Sequence, residues 1–422
     1  MGQFSASPNA INELNKSNNE NNNYVMPMTA MATLFFLWGF ITVLNDLLIP
    51  HLKSLFDLNY TQVMLIQFCF FGAYFLISVP AGAYVRKFGY KMGVISGLIT
   101  AALGCTLFYP AALALQYSLF LFALFVLASG LTILQVSANP YVAALGPQKH
   151  ASSRLNLAQG LNSLGTTLAP PVGAYLFFSS TLDNSTTADS SVSSAYFMLA
   201  LTLVMIAIIF SQLKLPTLTP SNDTTSRECK KNIWRAKHLT WGVGAIFFYV
   251  GAEVSIGSFL VNYFGETELG SLDEKRAAEL LTYYWGGAMV GRFIGSFVTR
   301  IVSPHKAIIF NVTMTIILLI ITMQTSGFIA IWSVLAIGLF NSIMFPTIFT
   351  LGIESMGELT SRASGLLCLA IVGGAIIPII QGVVADLWEI QYSFVIPAAC
   401  YLFILYYAIR FPMLKQAWIK AE

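Results

Sequence analysis

Long apolar stretches alternate with short polar segments along almost the whole chain beyond residue 24. Each stretch holds about 20 mostly apolar residues, the length of α-helix that crosses the hydrocarbon core of a bilayer. Helices are the expected form, because a backbone in lipid must satisfy its own polar groups. The pattern predicts an all-α membrane protein with twelve transmembrane helices, at approximately 27–50, 62–85, 92–112, 118–144, 154–178, 195–213, 239–264, 276–300, 305–325, 327–352, 361–386 and 391–411.

The composition supports a membrane-embedded chain. Of the 422 residues, 56% are hydrophobic and only 10% are charged, whereas soluble proteins carry about 25% charged residues. The segment 1–24 differs, because it is polar and rich in Asn and Ser. Such a segment has little apolar surface to bury, which predicts a disordered N-terminal tail.

Basic residues concentrate in alternate connections between the predicted spans. The other connections hold only Lys53, Lys275 and Arg276. The positive-inside rule then places both termini in the cytoplasm, and we expect a multi-pass protein of a bacterial inner (plasma) membrane. The net charge of +3 therefore reflects membrane topology, and we expect lipid rather than nucleic acid as a partner.

The chain divides near its middle at a polar, basic segment. This segment, 214–238, predicts a cytoplasmic linker between six-helix bundles at 25–213 and 239–422. Spans 5 and 11 carry the same residue types at an offset of 208 positions, as a duplication of one bundle requires. The matching pairs are Ser153 and Ser361, Arg154 and Arg362, Gly165 and Gly373, and Pro170 and Pro378. Transporters with such repeats bind substrate between the halves, near the midplane.

Three of the charged residues inside predicted spans stand out. A charge at the bilayer centre costs at least about 2.5–3.5 kcal/mol, so such residues are candidates for function. Asp46, preceded by Asn45, is the strongest candidate for cation coupling, and Glu253 in span 7 is a candidate for binding or coupling. Arg292 in span 8 is expected to form a structural or gating ion pair with Glu354 or Glu358, at the end of span 10.

Carboxamide side chains also cluster in the spans, where their donors and acceptors would suit sugar hydroxyls. The alternative role is hydrogen bonding between helices, worth about 0.6 kcal/mol each. Two tryptophans could stack on a sugar ring or belong to the interfacial belt. The candidate substrate-binding residues are Trp38, Gln135, Asn139, Gln159, Asn162, Glu253, Trp285, Asn341 and Gln381.

Several of these residues stand in strings that resemble a known family. The strings are FLWGF at 36–40, LND at 44–46, LTILQVSANPY at 131–141, YVGAEVSIGSF at 249–259, YWGGAMVGRF at 284–293 and GLFNSIMFP at 338–346. They resemble the major facilitator superfamily, and within it the fucose–galactose–glucose:cation symporters, in particular the glucose/galactose branch. The likeness covers nearly the whole chain beyond residue 27.

The resemblance implies two pseudo-symmetric bundles that rock about a central site, with Asp46 as the coupling carboxylate. Two departures from the family pattern stand out. Gln135 occupies the place of a second carboxylate of the fucose branch and cannot titrate. In the 2–3 loop, Arg86 stands where the superfamily motif has an Asp, beside Lys87 and Lys91, for which we expect gating or structural roles.

We therefore predict a secondary active transporter, and not an enzyme, that carries a hexose such as glucose or galactose with a cation. The cation could be H⁺ on Asp46, or Na⁺ held by oxygens of Asp46, Asn45 and Gln135. No cofactor and no other metal is expected, and the chain is expected to be a monomer. The alternatives are a facilitative sugar uniporter, a fucose-type permease and a membrane sugar sensor that does not transport.

Overall fold

The computed structural model describes residues 25–42, 60–114, 116–178, 188–213, 232–265 and 274–421. Asp46 and Asn45, the tail 1–24 and most of the predicted linker lie outside these ranges. The described part is all-α, with a helix at each of the twelve predicted positions.

The helices are α1 Val25–Thr42, α2 Tyr60–Phe88, α3 Tyr90–Ala114, α4 Tyr117–Ala144, α5 Ala151–Phe178, α6 Ala188–Gln212, α7 Lys237–Phe264, α8 Glu274–Ile301, α9 Pro304–Gln324, α10 Gly327–Ile353, α11 Gly357–Leu387 and α12 Val395–Ala421. Short helical segments at Gln148–His150, Ile233–Arg235 and Ile390–Ser393 precede α5, α7 and α12. Nine of the described helices are long and apolar enough to cross a membrane by length and composition. Two of the others, α5 and α8, carry polar residues of the candidate site described below.

Within each half, one helix packs against several other helices of that half. In the first half α4 packs on α3 and α2, and in the second half α7 packs on α12, α11 and α10. The halves meet mainly along two helix pairs, α5 with α8 and α2 with α11, and also where α4 contacts α11 and α5 contacts α10. In the predicted repeat, α5 corresponds to α11 and α2 corresponds to α8. The contact of α5 with α8 is therefore the counterpart of the contact of α11 with α2.

Two glycines let α2 and α11 cross at close range. A methyl group on Gly82 would lie 2.7 Å from the carbonyl oxygen of Ser361, and one on Gly365 would lie 2.7 Å from that of Ser78. Small residues at helix crossings in membranes allow backbones to approach in this way. The contact holds only while the two halves are together.

Contacts between the halves concentrate toward one end of the molecule. At this end α2 leads into α3, α4 into α5, α8 into α9, and α10 into α11. We call it the basic face, after Arg86, Lys87, Lys149, Arg300, Lys306 and Arg362. Ser152 Oγ lies 2.6 Å from Thr350 Oγ1, and Ser153 Oγ donates to the Ser296 carbonyl at 2.6 Å. The two halves are therefore closed at the basic face.

Two prolines create backbone acceptors at helix contacts. Proline has no N–H, so the carbonyl four residues earlier lacks its helical partner. Pro140 frees the carbonyl of Val136, which accepts a 2.9 Å hydrogen bond from Ser364 in the other half. Pro346 frees the carbonyl of Ser342, where α10 is interrupted.

Candidate substrate and coupling site

A partly buried ion pair links α7 and α8. Arg292 Nη2 lies 3.8 Å from Glu253 Oε1, and both side chains are 15% exposed. The prediction that Arg292 pairs with Glu354 or Glu358 is wrong, because Glu354 binds Lys415 at 2.6 Å. Depth explains the error: Arg292 lies nine residues before the end of α8, about 14 Å of helix rise at 1.5 Å per residue. Glu354 follows the last residue of α10, at the basic face.

A hydrogen-bond network connects Glu253 with other helices of the second half. Tyr249 OH lies 2.7 Å from Glu253 Oε1 and 3.0 Å from the carbonyl oxygen of Asn341, and shares its one proton between them. The amide of Asn341 donates to Tyr284 OH at 3.0 Å and accepts from Tyr401 OH at 2.7 Å. Because Asn341 is 1% exposed and all of its side-chain groups are engaged, its contacts support the interhelical role that the sequence left open.

Arg292 also reaches across to the first half. Its Nη1 donates to Ser163 Oγ in α5, and its Nε donates to the Ser342 carbonyl at 3.3 Å. The second bond uses the carbonyl that Pro346 leaves without a helical donor. Arg292 thus joins a carboxylate, a broken helix and the opposite half, all inside the bundle.

The amides of α4 are only partly satisfied. Gln135 Nε2 donates to Tyr74 OH at 3.2 Å. Within the described residues, Gln135 Oε1 and both side-chain polar atoms of Asn139 are buried without a hydrogen-bond partner. Gln135 and Asn139 lie one turn apart on the same face of α4. An unsatisfied buried polar group costs about 1–3 kcal/mol, so this pair of amides is suited to receive polar groups of a ligand.

The amides of α5 lie close to α1. Asn162 Nδ2 donates to the Phe35 carbonyl at 2.8 Å, and a methyl group on Gly39 would collide with Asn162. Gln159 is 6% exposed, and Trp38 is 7% exposed with its ring 5.4 Å from that of Phe35. The structure therefore places Asn162 in a contact between helices and leaves the Gln159 amide outside the hydrogen bonds of the described residues.

Two predicted binding residues lie at the margins of this arrangement. Trp285 is 41% exposed. Its ring packs edge-on against Tyr284, with centroids 5.1 Å apart. Gln381 is buried and donates to Ser393 at 3.1 Å, near the start of α12. The structure does not bring Gln381 into the network around Arg292.

The basic residues of the 2–3 loop have local contacts. Lys91 Nζ donates to the carbonyls of Ser211 and Leu213, at 2.7 and 2.8 Å, and so binds the C-terminal end of α6, where positive charge is favourable. The Lys87 ammonium lies 5.2 Å from the ring centre of Phe88, and Arg86 is exposed. These contacts join elements of the first half, which supports a structural role for Lys91.

Sequence reasoning missed four members of the network: Ser163, Tyr249, Tyr284 and Tyr401. Of the four, Tyr249 was the easiest to predict from the sequence, since it lies four residues before Glu253 and therefore on the same helix face. The others come from distant parts of the chain, and nothing in their local sequence signals the contact.

Comparison with known proteins agrees with this geometry. The family model described as Major Facilitator Superfamily matches residues 29–370. The chain belongs to this superfamily. A glucose/galactose transporter of Brucella abortus biovar 1 (strain 9-941) is 54% identical over 399 residues, which cover 94% of this chain and 97% of that protein.

More distant relatives include a solved structure. An L-fucose-proton symporter of Escherichia coli (strain K12) is 33% identical over 430 residues, covering 97% of this chain and 98% of the symporter. The crystal structure of FucP, a superfamily transporter in the outward conformation, superimposes with a TM-score of 0.85 at 33% identity, covering 92% of this chain and 99% of FucP. The predicted family and fold are thereby confirmed, as a multi-pass membrane transporter.

Proposed function

We propose that this protein is a symporter that takes up a hexose such as glucose or galactose together with a proton. The names of its relatives support the sugar and the proton. The buried amides of Gln135 and Asn139 support a polar ligand inside the bundle. We further propose a monomer in a bacterial inner membrane, with both termini and the basic face in the cytoplasm.

The sugar would bind first at the α4 amides. A carboxamide offers two donors and one oxygen acceptor, and a sugar hydroxyl can serve as partner for either. Gln159 would add a third amide from α5. Trp38, in α1, would offer a flat apolar surface for the C–H groups of the ring. Asn341 and Gln381 would act through helix packing, since both already make hydrogen bonds within the second half.

Coupling would depend on Asp46. Glu253 has Arg292 as a counter-ion, so this pair can remain in a closed bundle with both groups charged and no net charge. Asp46 lies outside the described residues, but its position in span 1 makes it the carboxylate whose charge a proton must neutralise before the bundle closes around it. Gln135 cannot share this task, because an amide does not titrate in the physiological range.

The protein would work by alternating access. In the state described here the halves are closed at the basic face through Ser152, Ser153 and Ser364. We propose that sugar and proton enter from the opposite side, and that the halves then rock to open the basic face. One charge moving through about 100 mV supplies about 2.3 kcal/mol, which corresponds to about fifty-fold accumulation at 1.36 kcal/mol per decade.

Uptake by purified protein in liposomes tests the proposal. We expect an inward pH gradient to drive accumulation of labelled glucose or galactose, and an inward Na⁺ gradient at constant pH to drive none. Accumulation driven by Na⁺ alone would refute proton coupling. Equilibration without accumulation under either gradient would establish a uniporter, and absence of sugar exchange would favour a sensor.

The Asp46→Asn variant tests the coupling residue. It should lose accumulation driven by the pH gradient yet retain exchange of labelled for unlabelled sugar, because exchange needs no net proton movement. Glu253→Gln is a useful comparison, since it removes a second intramembrane carboxylate. Full gradient-driven accumulation by Asp46→Asn would exclude Asp46 from coupling.

A further inference from the structure

A cavity of about 760 Å³ opens at the basic face between the two halves. The first half contributes Lys149 and Ser152, and the second half contributes Arg300, His305 and Lys415. Thr350 lies in the same wall, and its hydrogen bond to Ser152 closes the halves at this point. The volume is within the range of about 300–1,000 Å³ that is typical of small-molecule sites.

The charge lining this cavity is positive. Its charged side chains are Lys149, Arg300, Lys415 and the carboxylate of Glu354, which gives three positive charges against one negative, a net +2 with His305 neutral. Glu354 is bound to Lys415 at 2.6 Å. Among the described residues, no ion pair or hydrogen bond engages the charged groups of Lys149 and Arg300, so two cations from opposite halves remain available to an anion.

The start of α9 adds a hydrogen-bond donor and partial positive charge to the same wall. Ser303 is the N-cap residue but its side chain makes no capping bond, and Pro304 occupies the first turn. Ser303, Pro304 and His305 all line the cavity. Pro304 has no N–H, and the N–H of Lys306 donates to the Ser303 carbonyl at 3.0 Å, so His305 supplies the free N–H of this first turn among the described residues. The partial positive charge of a helix N-terminus also favours phosphate.

We propose that this cavity binds a phosphate monoester, and that the bound phosphate holds the transporter closed at the basic face. A phosphate monoester dianion matches the net charge of the lining, and the volume admits a phosphorylated sugar. Two sources share this chemistry, a free organic phosphate and the headgroup of phosphatidic acid, which is a lipid phosphate monoester. The binding itself is independent of the transport proposed above, whereas its effect on transport rests on it.

The link to conformation follows from where the walls come from. Lys149 and Ser152 stand at the start of α5, while Arg300 and Thr350 belong to α8 and α10. Opening the basic face separates these helices and dismantles the cavity. A ligand that binds only the closed state raises the ratio of closed to open protein by a factor of 1 + [L]/Kd. This factor is about eleven when the ligand concentration is ten times Kd.

Binding can be measured on the purified transporter without any transport assay. Thermal unfolding would be followed with increasing inorganic phosphate or ribose 5-phosphate at constant ionic strength. Ribose is the neutral control, and its pentose ring keeps the probe distinct from the proposed hexose substrate. We expect saturable stabilisation by ribose 5-phosphate and none by ribose. No saturable stabilisation by either phosphate would overturn the proposal.

A matched pair of variants assigns that binding to the cavity. Lys149→Gln with Arg300→Gln removes two lining cations and should weaken ribose 5-phosphate binding by about tenfold or more, since charge-assisted hydrogen bonds to phosphate are strong. Lys237→Gln with Arg362→Gln removes the same charge from two exposed residues that do not line the cavity. Equal affinity in both double variants would overturn the proposed site.

Sugar-exchange measurements in liposomes identify the source of the phosphate and its effect on transport. In liposomes of phosphatidylcholine alone, ribose 5-phosphate at the basic face should slow sugar exchange, and the lining variant should resist it. If 30 mol% (about one lipid in three) phosphatidic acid slows exchange in the same way and blocks the effect of ribose 5-phosphate, the headgroup is the natural occupant. Tight binding with unchanged exchange would refute the conformational lock.

Discussion

Replacing Gly82 with Ala should shift the protein away from the state closed at the basic face. A methyl group at Gly82 would lie 2.7 Å from the carbonyl oxygen of Ser361 and 3.4 Å from the Cα of Gly365. Both neighbours are backbone atoms of α11, in the other half, so they can yield only if α2 and α11 move apart. The strain exists in the closed state and disappears when the basic face opens.

The size of the shift follows from the overpacking cost. Inserting a methyl group into a tight contact costs about 1–3 kcal/mol. At 1.36 kcal/mol per decade, the equilibrium should move about 5- to 160-fold toward the open state. A protein that spends about 1% of its time open at the basic face would then be open for roughly 5–60%.

Pulsed electron–electron double resonance would report the opening as a change in the distance between spin labels at positions 148 and 358, which are Gln148 and Glu358 in the protein. Both residues are exposed at the basic face, one in each half. Gly72→Ala is the matched control: Gly72 also lies in α2, but no heavy atom lies within 4 Å of its added methyl group. We expect a longer distance population in Gly82→Ala and none in Gly72→Ala. Identical distance distributions would refute the idea that this crossing holds the face closed.

Three further substitutions test the polar contacts. Arg292→Met should destabilise the protein by about 3–5 kcal/mol, because Glu253 is left as an unpaired buried charge; adding Glu253→Gln should restore most of that loss in a thermal unfolding assay. Ser364→Ala removes the donor to the Val136 carbonyl and should weaken closure by about 1 kcal/mol, visible as faster labelling of the basic face. Asn139→Leu should leave stability unchanged or higher, yet abolish sugar binding measured by equilibrium dialysis; unchanged binding would exclude Asn139 from the site.

The helices were predictable because membrane thickness fixes their length. Each apolar stretch had to span the same hydrocarbon core, so the twelve helices stand where the pattern placed them. Proline chemistry is equally local, since Pro140 leaves the Val136 carbonyl without a helical donor whatever the rest of the fold. The helix α12 continues to Ala421, ten residues beyond the predicted span that ends at 411, because hydrophobicity marks the membrane-spanning part of a helix and not where the helix ends.

The polar partners were harder to predict because they depend on depth and rotation of helices. Arg292 could be assigned to a carboxylate only by knowing which one lies at its level in the bundle, and Glu253 meets that condition while Glu354 does not. Composition likewise could not separate Asn341, whose amide is fully bonded to tyrosines, from Asn139, whose amide is not. Both are asparagines inside apolar helices, and the difference between them arises only in three dimensions.

The contacts that close the basic face are strong enough to define a state and weak enough to be reversed. Four hydrogen bonds near it join the two halves: those of Ser152, Ser153 and Ser364, and the one that Asn156 donates to Thr347 at 3.3 Å. Each contributes a net value of only about 0.5–1.5 kcal/mol, because water can satisfy the same groups once the face opens. Together they contribute about 2–6 kcal/mol. One charge moving through about 100 mV contributes about 2.3 kcal/mol, which is of similar size. Small hydroxyl residues at this face therefore suit a carrier whose two states must remain within reach of its ion gradient.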